Sequence, residues 1–430
     1  MTDALARSLT LPSGGKLKNR IAKAAMTEGL ADQYNRATDR HVTLYRRWAE
    51  GGAGMLLTGN VMVDRRFLER PGNVAIDGPQ TDEQLDRLKR WTGAVRQAGS
   101  DIYVQLSHAG RQTPKIVCKE PVAPSAVTLE LPGGQFAPPR ALSAAEIEEV
   151  IERFANAASV AKRAGFSGVQ VHAAHGYLIS EFLNPRVNQR DDEWGGGLDN
   201  RARLLLRVIR EVRAQVGSGF PVSVKLNSSD FQKGGFAPEE SLQVARWLNN
   251  EGVDLLEISG GSYEQPAMMD LDGMEARYEE TKRASTLARE AYFLTFAEEV
   301  RKVASMPLMV TGGFRTRAGM EQALSSGACD VIGLGRPLCV DTAAPNKILQ
   351  GEVKSLPSWE KMLRVGPGLF GPNSNIDLIK ALNGFGVMAF FYENLFRLAD
   401  GKETVTEMSI LPAFIKFQMG EAKAARALNR

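Results

Sequence analysis

Cysteine is scarce in this 430-residue chain: three occur, Cys118, Cys329 and Cys339, far apart and without a C-x-x-C pair. An odd, scattered set disfavours a disulfide framework, a zinc ribbon and an iron–sulfur cluster. Charge of one sign is missing as well. Lysine and arginine total 53 against 50 acidic residues, with no long single-sign block, so there is no electrostatic footprint for nucleic acid or an anionic membrane. No apolar run approaches the roughly 20 residues of a membrane span, and the opening MTDALARSLTLPSGGK has no apolar core of signal-peptide length. A cytoplasmic enzyme is the expectation from these absences. No strand runs straight into the glycine fingerprint and acidic partner of a dinucleotide-binding half, which argues against an open doubly wound sheet.

What is present is a regular alternation. Short β-branched or apolar runs stand at 20–26, 53–59, 101–107, 167–173, 221–227, 252–259, 307–313 and 329–335, and longer amphipathic stretches separate them. Eight such runs predict repeated βα units. Thr81 with Gln84 and Ser143 with Glu146 have capping-box spacing, Pro238 suits a first helical position, and 289–303 repeats apolar residues at helical spacing. The strands terminate in a polar side chain or glycine, namely Thr27, Asn60, Gln105, His172, Lys225, Ser259, Gly312 and Gly335. In a closed (β/α)8 TIM barrel those ends converge on one face, where the catalytic loops lie. Two long loops, 109–142 and 260–288, belong to that face and are expected to wall the site. The repeat stops near 340. The expected division is a barrel over 1–340 and a mostly helical extension over 341–430, packed on the barrel or on a neighbouring subunit, with 387–401 as one of its helices.

The densest chemistry is HAAHGYLISEFLNPRVNQRDDEWGGGLDNR, residues 172–201, after the fourth strand. His172 and His175 could donate two hydrogen bonds to one carbonyl or phenolate oxygen, and Tyr177 could supply a proton as general acid. Each donor to a developing oxyanion would contribute on the order of 3 kcal/mol, by analogy with oxyanion holes. The same pair admits a second reading, a metal-dependent barrel hydrolase with Glu181 or Asp191 as third ligand. Against it, the other strand ends offer no suitable histidine or carboxylate besides His108. A third reading is two core histidines satisfied by backbone.

That segment resembles the most characteristic motif of the old yellow enzyme family of NADH:flavin oxidoreductases. Further segments match in order: LKNRIAKAAMT (17–27), DIYVQLSHAGRQ (101–112), PVAPSAV (121–127), PRALSAAEI (139–147), LDNRARLL (198–205), REAYFLTFAEEVR (289–301) and GLGRPL (333–338). The resemblance covers about 20–340 and not the extension. It implies a non-covalently bound FMN and NADH or NADPH as reductant. The two half-reactions would take hydride from the nucleotide and deliver it to the activated C=C bond of an α,β-unsaturated carbonyl compound, with Tyr177 protonating the α-carbon. A flavin-dependent demethylase or dehydrogenase on the same site is the alternative within flavin chemistry. A homo-oligomer is expected, with no nucleic-acid or membrane partner.

By the same resemblance, Ala24, Ala25, Met26 and Thr27 lie along the flavin ring, Asn60 and Gln105 meet its pyrimidine edge, and Lys225 brings a cation to that edge. His172 sits beside the ring. Gly312, Gly313, Gly335 and Arg336 suit a phosphate, which needs backbone N–H donors and a fixed cation; the ends of strands seven and eight are where barrels commonly hold one. Two departures concern substrate shape: Ala25 stands where the family usually has proline, and Gly29 where some members have an aromatic substrate contact.

Overall fold

The computed structural model describes residues 3–131, 134–261 and 294–428. Eight strands form a closed, all-parallel barrel: β1 Ile21–Lys23, β2 Met55–Met62, β3 Asp101–Ser107, β4 Gly168–Ala173, β5 Val222–Asn227, β6 Leu255–Ser259, β7 Leu308–Thr311 and β8 Val331–Leu334. Each falls on one of the eight runs predicted from sequence. Between them lie α1 Asp39–Glu50, α2 Asp82–Gln97, α3 Ala144–Arg163, α4 Leu178–Leu183, α5 Leu198–Val216, α6 Pro238–Leu248, α7 Leu294–Arg301 and α8 Arg317–Ser325. Thr81 and Ser143 cap α2 and α3, each accepting from the amide three residues on, while Gln84 and Glu146 accept from the cap amides in return. Most of the predicted loop 260–288, and the start of the predicted helix 289–303, lie outside the described residues.

Alternation along the strands sorts side chains into two separate apolar bodies. Ile21, Leu56, Ile102, Val104, Val169, Val171, Val224, Ile258 and Val310 face outward and pack under the helices in the main core. Ala22, Met55, Leu57, Tyr103, Leu255, Met309 and Val331 face inward and fill the lower barrel. A short antiparallel hairpin, Leu9–Thr10 with Lys16–Leu17, adds Leu11 and Leu17 to that inner body. The barrel is therefore a packed plug at one end, and polar side chains are confined to its other half.

Beyond β8 a 3-10 turn, Arg336–Cys339, leads to α9 Ala344–Leu349, α10 Asp377–Ala399 and α11 Ile410–Ala427. Phe390, Leu395, Leu398 and Ile410 enter the main core. Arg40 and Arg47 on α1 pair with Asp400 and Glu403 at 2.7 and 2.9 Å. The helix expected at 387–401 is the second half of α10.

Candidate active site

The polar half of the barrel begins one layer above the apolar plug. Gln105 Nε2 donates to Gln170 Oε1 (2.7 Å), and Gln170 Nε2 donates to Glu257 Oε2 (2.9 Å). Glu257 Oε1 in turn accepts from Thr311 Oγ1 (2.7 Å) and lies 3.1 Å from Lys225 Nζ. The Glu257 side chain is 0% and that of Lys225 5% exposed, so neither charge is solvated and each depends on the other. Register places Asn60 beside Gln105, and His172 beside Lys225. Four residues read from sequence as strand ends are in fact internal: β2 continues two residues past Asn60, as do β3 past Gln105 and β5 past Lys225, and β4 continues one past His172. Inward-pointing interior positions put their side chains inside the mouth rather than on its rim. Thr27, conversely, lies four residues past the end of β1.

Above this network stand the two imidazoles and the phenol. The Ala174 amide donates to His172 Nδ1 (3.2 Å), which fixes Nε2 as the protonated nitrogen of a neutral ring. Burial and then the nearby Lys225 charge hold His172 well below the ordinary imidazole range; burial, Lys225 and His172 do the same for His175. His175 sits in a left-handed conformation, φ 63°, followed by Gly176 at φ 75°. Such a backbone costs of order 1–3 kcal/mol and persists only where neighbours over-determine it. Here Asn227 Oδ1 accepts from the His175 amide (3.2 Å) and Gln112 Nε2 donates to its carbonyl (3.0 Å). The ring meets Ser259 Oγ through Nε2 at 2.6 Å. His172 lies 5.1 Å from His175 and 4.8 Å from Tyr177 between ring centroids, both edge-on. Tyr177 opens α4, and its ring is buried among Met62, Leu68, Ala109 and Val117.

The opposite rim is built by barrel closure. The Ala24 amide donates to Leu334 O (2.8 Å), so the segment 24–27 runs beside 334–339, and Met26 Sδ lies 3.6 Å from Cys339 Sγ. The segment crosses β2 at Gly59, where a Cβ would come within 2.5 Å of Thr27 Cα. Glu28 ties it down, accepting from the Gly59 amide (2.9 Å) and from Tyr45 OH. Gly312 and Gly313 follow β7 at φ 118° and 80°, a conformation that favours glycine and turns backbone toward the mouth. Arg336 lies 3.7 Å from Glu360 Oε1, which also accepts from Arg315 Nη2 at 2.5 Å.

These residues fit an FMN. Asn60 Oδ1 is buried with no partner among the described residues, as an acceptor reserved for a ligand would be. The donor set runs from amide side chains and a lysine at one side to paired glycines and arginines at the other. Sequence reasoning missed Gln170, Glu257, Asn227, Ser259's contact with His175, Arg315 and Glu360. Glu257 sits two residues before Ser259 on the same face, held by Lys225, Gln170 and Thr311; i, i+2 spacing from the named strand-end residues was the available signal, and it also finds Gln170 before His172. Among the described residues no three His, Cys, Asp or Glu side chains are placed to share a metal ion.

Residues 9–354 match the NADH:flavin oxidoreductase / NADH oxidase family. A NADH-dependent flavin oxidoreductase of Hypocrea jecorina is 38% identical over 360 residues, covering 79% of this chain and 88% of its own. An old yellow enzyme homologue from Zymomonas mobilis superimposes with a TM-score of 0.67 at 28% identity, over 82% of this chain and 94% of that one. A 2-naphthoyl-CoA reductase bound to 2-naphthoyl-CoA gives 0.73 at 26% identity over 83% of this chain, which spans about half (54%) of the reductase's length.

Proposed function

The chain belongs to the NADH:flavin oxidoreductase / NADH oxidase family and is an FMN-dependent NAD(P)H oxidoreductase, and on that premise we propose that its acceptor is the C=C bond of an α,β-unsaturated carbonyl compound. Bound FMN supplies the hydride relay between nucleotide and acceptor. Ala24, Ala25, Met26, Thr27, Asn60, Gln105, His172, Lys225, Gly312, Gly313, Gly335 and Arg336 would hold it. Gln105 offers its carboxamide to the pyrimidine edge, and the Lys225 ammonium, pinned by Glu257, brings a positive charge there. Arg336 and the glycine amides would hold its phosphate.

The observation that supports this reading best is the trio His172, His175 and Tyr177, with centroids 4.8 and 5.1 Å apart around His172. His172 Nε2–H polarises the acceptor's carbonyl oxygen, and His175 joins it by exchanging its contact with Ser259 for that oxygen. Because both rings are neutral, they stabilise developing negative charge by donating hydrogen bonds. Tyr177 gives a proton to the α-carbon. Anaerobic reduction of the flavin by NADH or NADPH, followed by rapid mixing with cyclohex-2-enone, tests the proposal: fast reoxidation is expected, and reoxidation no faster than in buffer refutes it.

Among the described residues no helix is long and apolar enough to cross a membrane. We further propose that the barrel and the extension after residue 340 form one protomer of a homo-oligomer. Met362, Leu369, Phe370, Ile376 and Leu378, all in the extension, stand 52–68% exposed, an apolar group suited to association between copies. Light scattering that gives a monomer at micromolar concentration counts against it.

A further inference from the structure

The extension beyond residue 354, outside the family match, reaches the substrate side of the mouth. Its anchor is Arg70, on the loop after β2. The Arg70 amide donates to Asn73 Oδ1 (2.7 Å), and Asn73 Nδ2 donates to Asn60 O (3.2 Å), which ties this loop to the polar rim. The buried guanidinium donates to both carboxylate oxygens of Glu421 on α11, at 2.6 and 3.2 Å. It lies 4.3 Å from the Tyr392 ring centroid on α10 and 5.1 Å from that of Phe417 on α11. Gly29, at φ 69°, makes room, since a Cβ there would stand 2.8 Å from Arg70 Cζ. A buried arginine whose charge is met by Glu421 fixes α11 in place, because losing that carboxylate strands the cation.

Seven residues after Glu421, Leu428 packs against the cluster of Met62, Leu68, Ala109, Val117 and Tyr177. Met62 ends β2, Ala109 follows β3 and Tyr177 follows β4, so the cluster that Leu428 of the extension packs against gathers the ends of three consecutive strands around the phenol. We propose that Leu428 is a specificity-determining residue: with α11 held by Arg70, it walls the Tyr177 side of the pocket and restricts the acceptor to α,β-unsaturated carbonyl compounds that are compact at the α-carbon. This rests on the proposed function, in which Tyr177 addresses that carbon. A group as large as a phenyl ring there would meet Leu428.

The test compares cyclohex-2-enone with 2-phenylcyclohex-2-enone on holoenzyme carrying Leu428→Ala or Leu428→Trp. Two readouts are taken: Kd on oxidised enzyme by flavin absorbance, and kcat/KM. Leu428→Ala is expected to shift both phenyl-to-parent ratios toward the phenyl compound by about tenfold or more, the discrimination that one or two methylenes supply in an apolar pocket. Leu428→Trp shifts them the opposite way. FMN content stays as in the parent. Ratios within twofold of the parent in both variants overturn the wall. If neither enone reoxidises the flavin in any of the three proteins, the acceptor assignment has failed, and the wall is then decided by the Kd ratios alone.

Discussion

Replacing Glu257 by Gln removes the counter-charge of Lys225 inside the barrel while preserving volume. At 3.1 Å the pair's attraction is about 5 kcal/mol at an effective dielectric of 20, and breaking a buried pair from one side typically destabilises by about 3–5 kcal/mol. The amide also disturbs its neighbours. Glu257 Oε2 accepts from Gln170; an Nε2 at that position forces Gln170 to turn over, and Gln105 then loses the acceptor it has in Gln170. For a chain of this length the loss corresponds to a fall in Tm of about 3–6 °C. Lys225→Met is expected to cost a similar amount, since it strands the carboxylate instead. The double variant discriminates: with both charges gone, its loss should fall short of the sum of the single losses by about 3 kcal/mol or more. Thermal and urea unfolding followed by tryptophan fluorescence, in apo-protein and with FMN in excess, measures all four corners of the cycle. Losses that add within about 0.5 kcal/mol, as for independent sites, refute the claim that each charge is held by the other.

Tyr177→Phe is expected to slow reoxidation of reduced flavin by an enone by roughly 10²–10⁴, with reduction by NADH nearly intact; stopped-flow that finds both half-reactions unchanged removes Tyr177 as the acid. Arg336→Ala should weaken FMN binding by about 10- to 150-fold, the equivalent of one charge-assisted contact, read from the fluorescence of released flavin on dilution. All four histidines of the chain are buried, and burial above all pushes His41 and His108 down to about 4. As pH falls below the ordinary value of about 6.5 the unfolded chain takes up protons that the folded chain refuses, so stability is level above about 6.5 and lost between there and about 4. The unfolding free energy from urea titrations should fall across that window by up to about 3 kcal/mol per histidine; values flat from pH 7 to 4.5 contradict the buried neutral state. Lys23 works on the alkaline side. Its folded pKa of about 8, lowered by burial against the pull of Glu28, lies below the ordinary value near 10.4, so stability should rise with pH between the two, a rise that Lys23→Met abolishes.

Sequence by itself determined the barrel and the end at which chemistry collects. The eight strands follow from local periodicity, since an alternating or continuous apolar run between capped amphipathic segments has few other ways to bury itself, and the chain direction of a parallel barrel then sends every strand end to one mouth. It also named His172, His175, Tyr177, Lys225 and Gln105, because each is a chemically costly residue in an otherwise apolar stretch. Only tertiary structure decided what those residues touch. That Lys225 answers to Glu257, that Glu257 is bridged to Gln105 through Gln170, and that Ser259 meets His175 depend on the stagger between strands, which no single strand encodes. The extension shows the same division most plainly. Its helical character is written in the spacing of 387–401, but the meeting of Glu421 with Arg70, 351 residues apart in sequence, and of Leu428 with the surroundings of Tyr177, is settled by packing free energy over the whole fold.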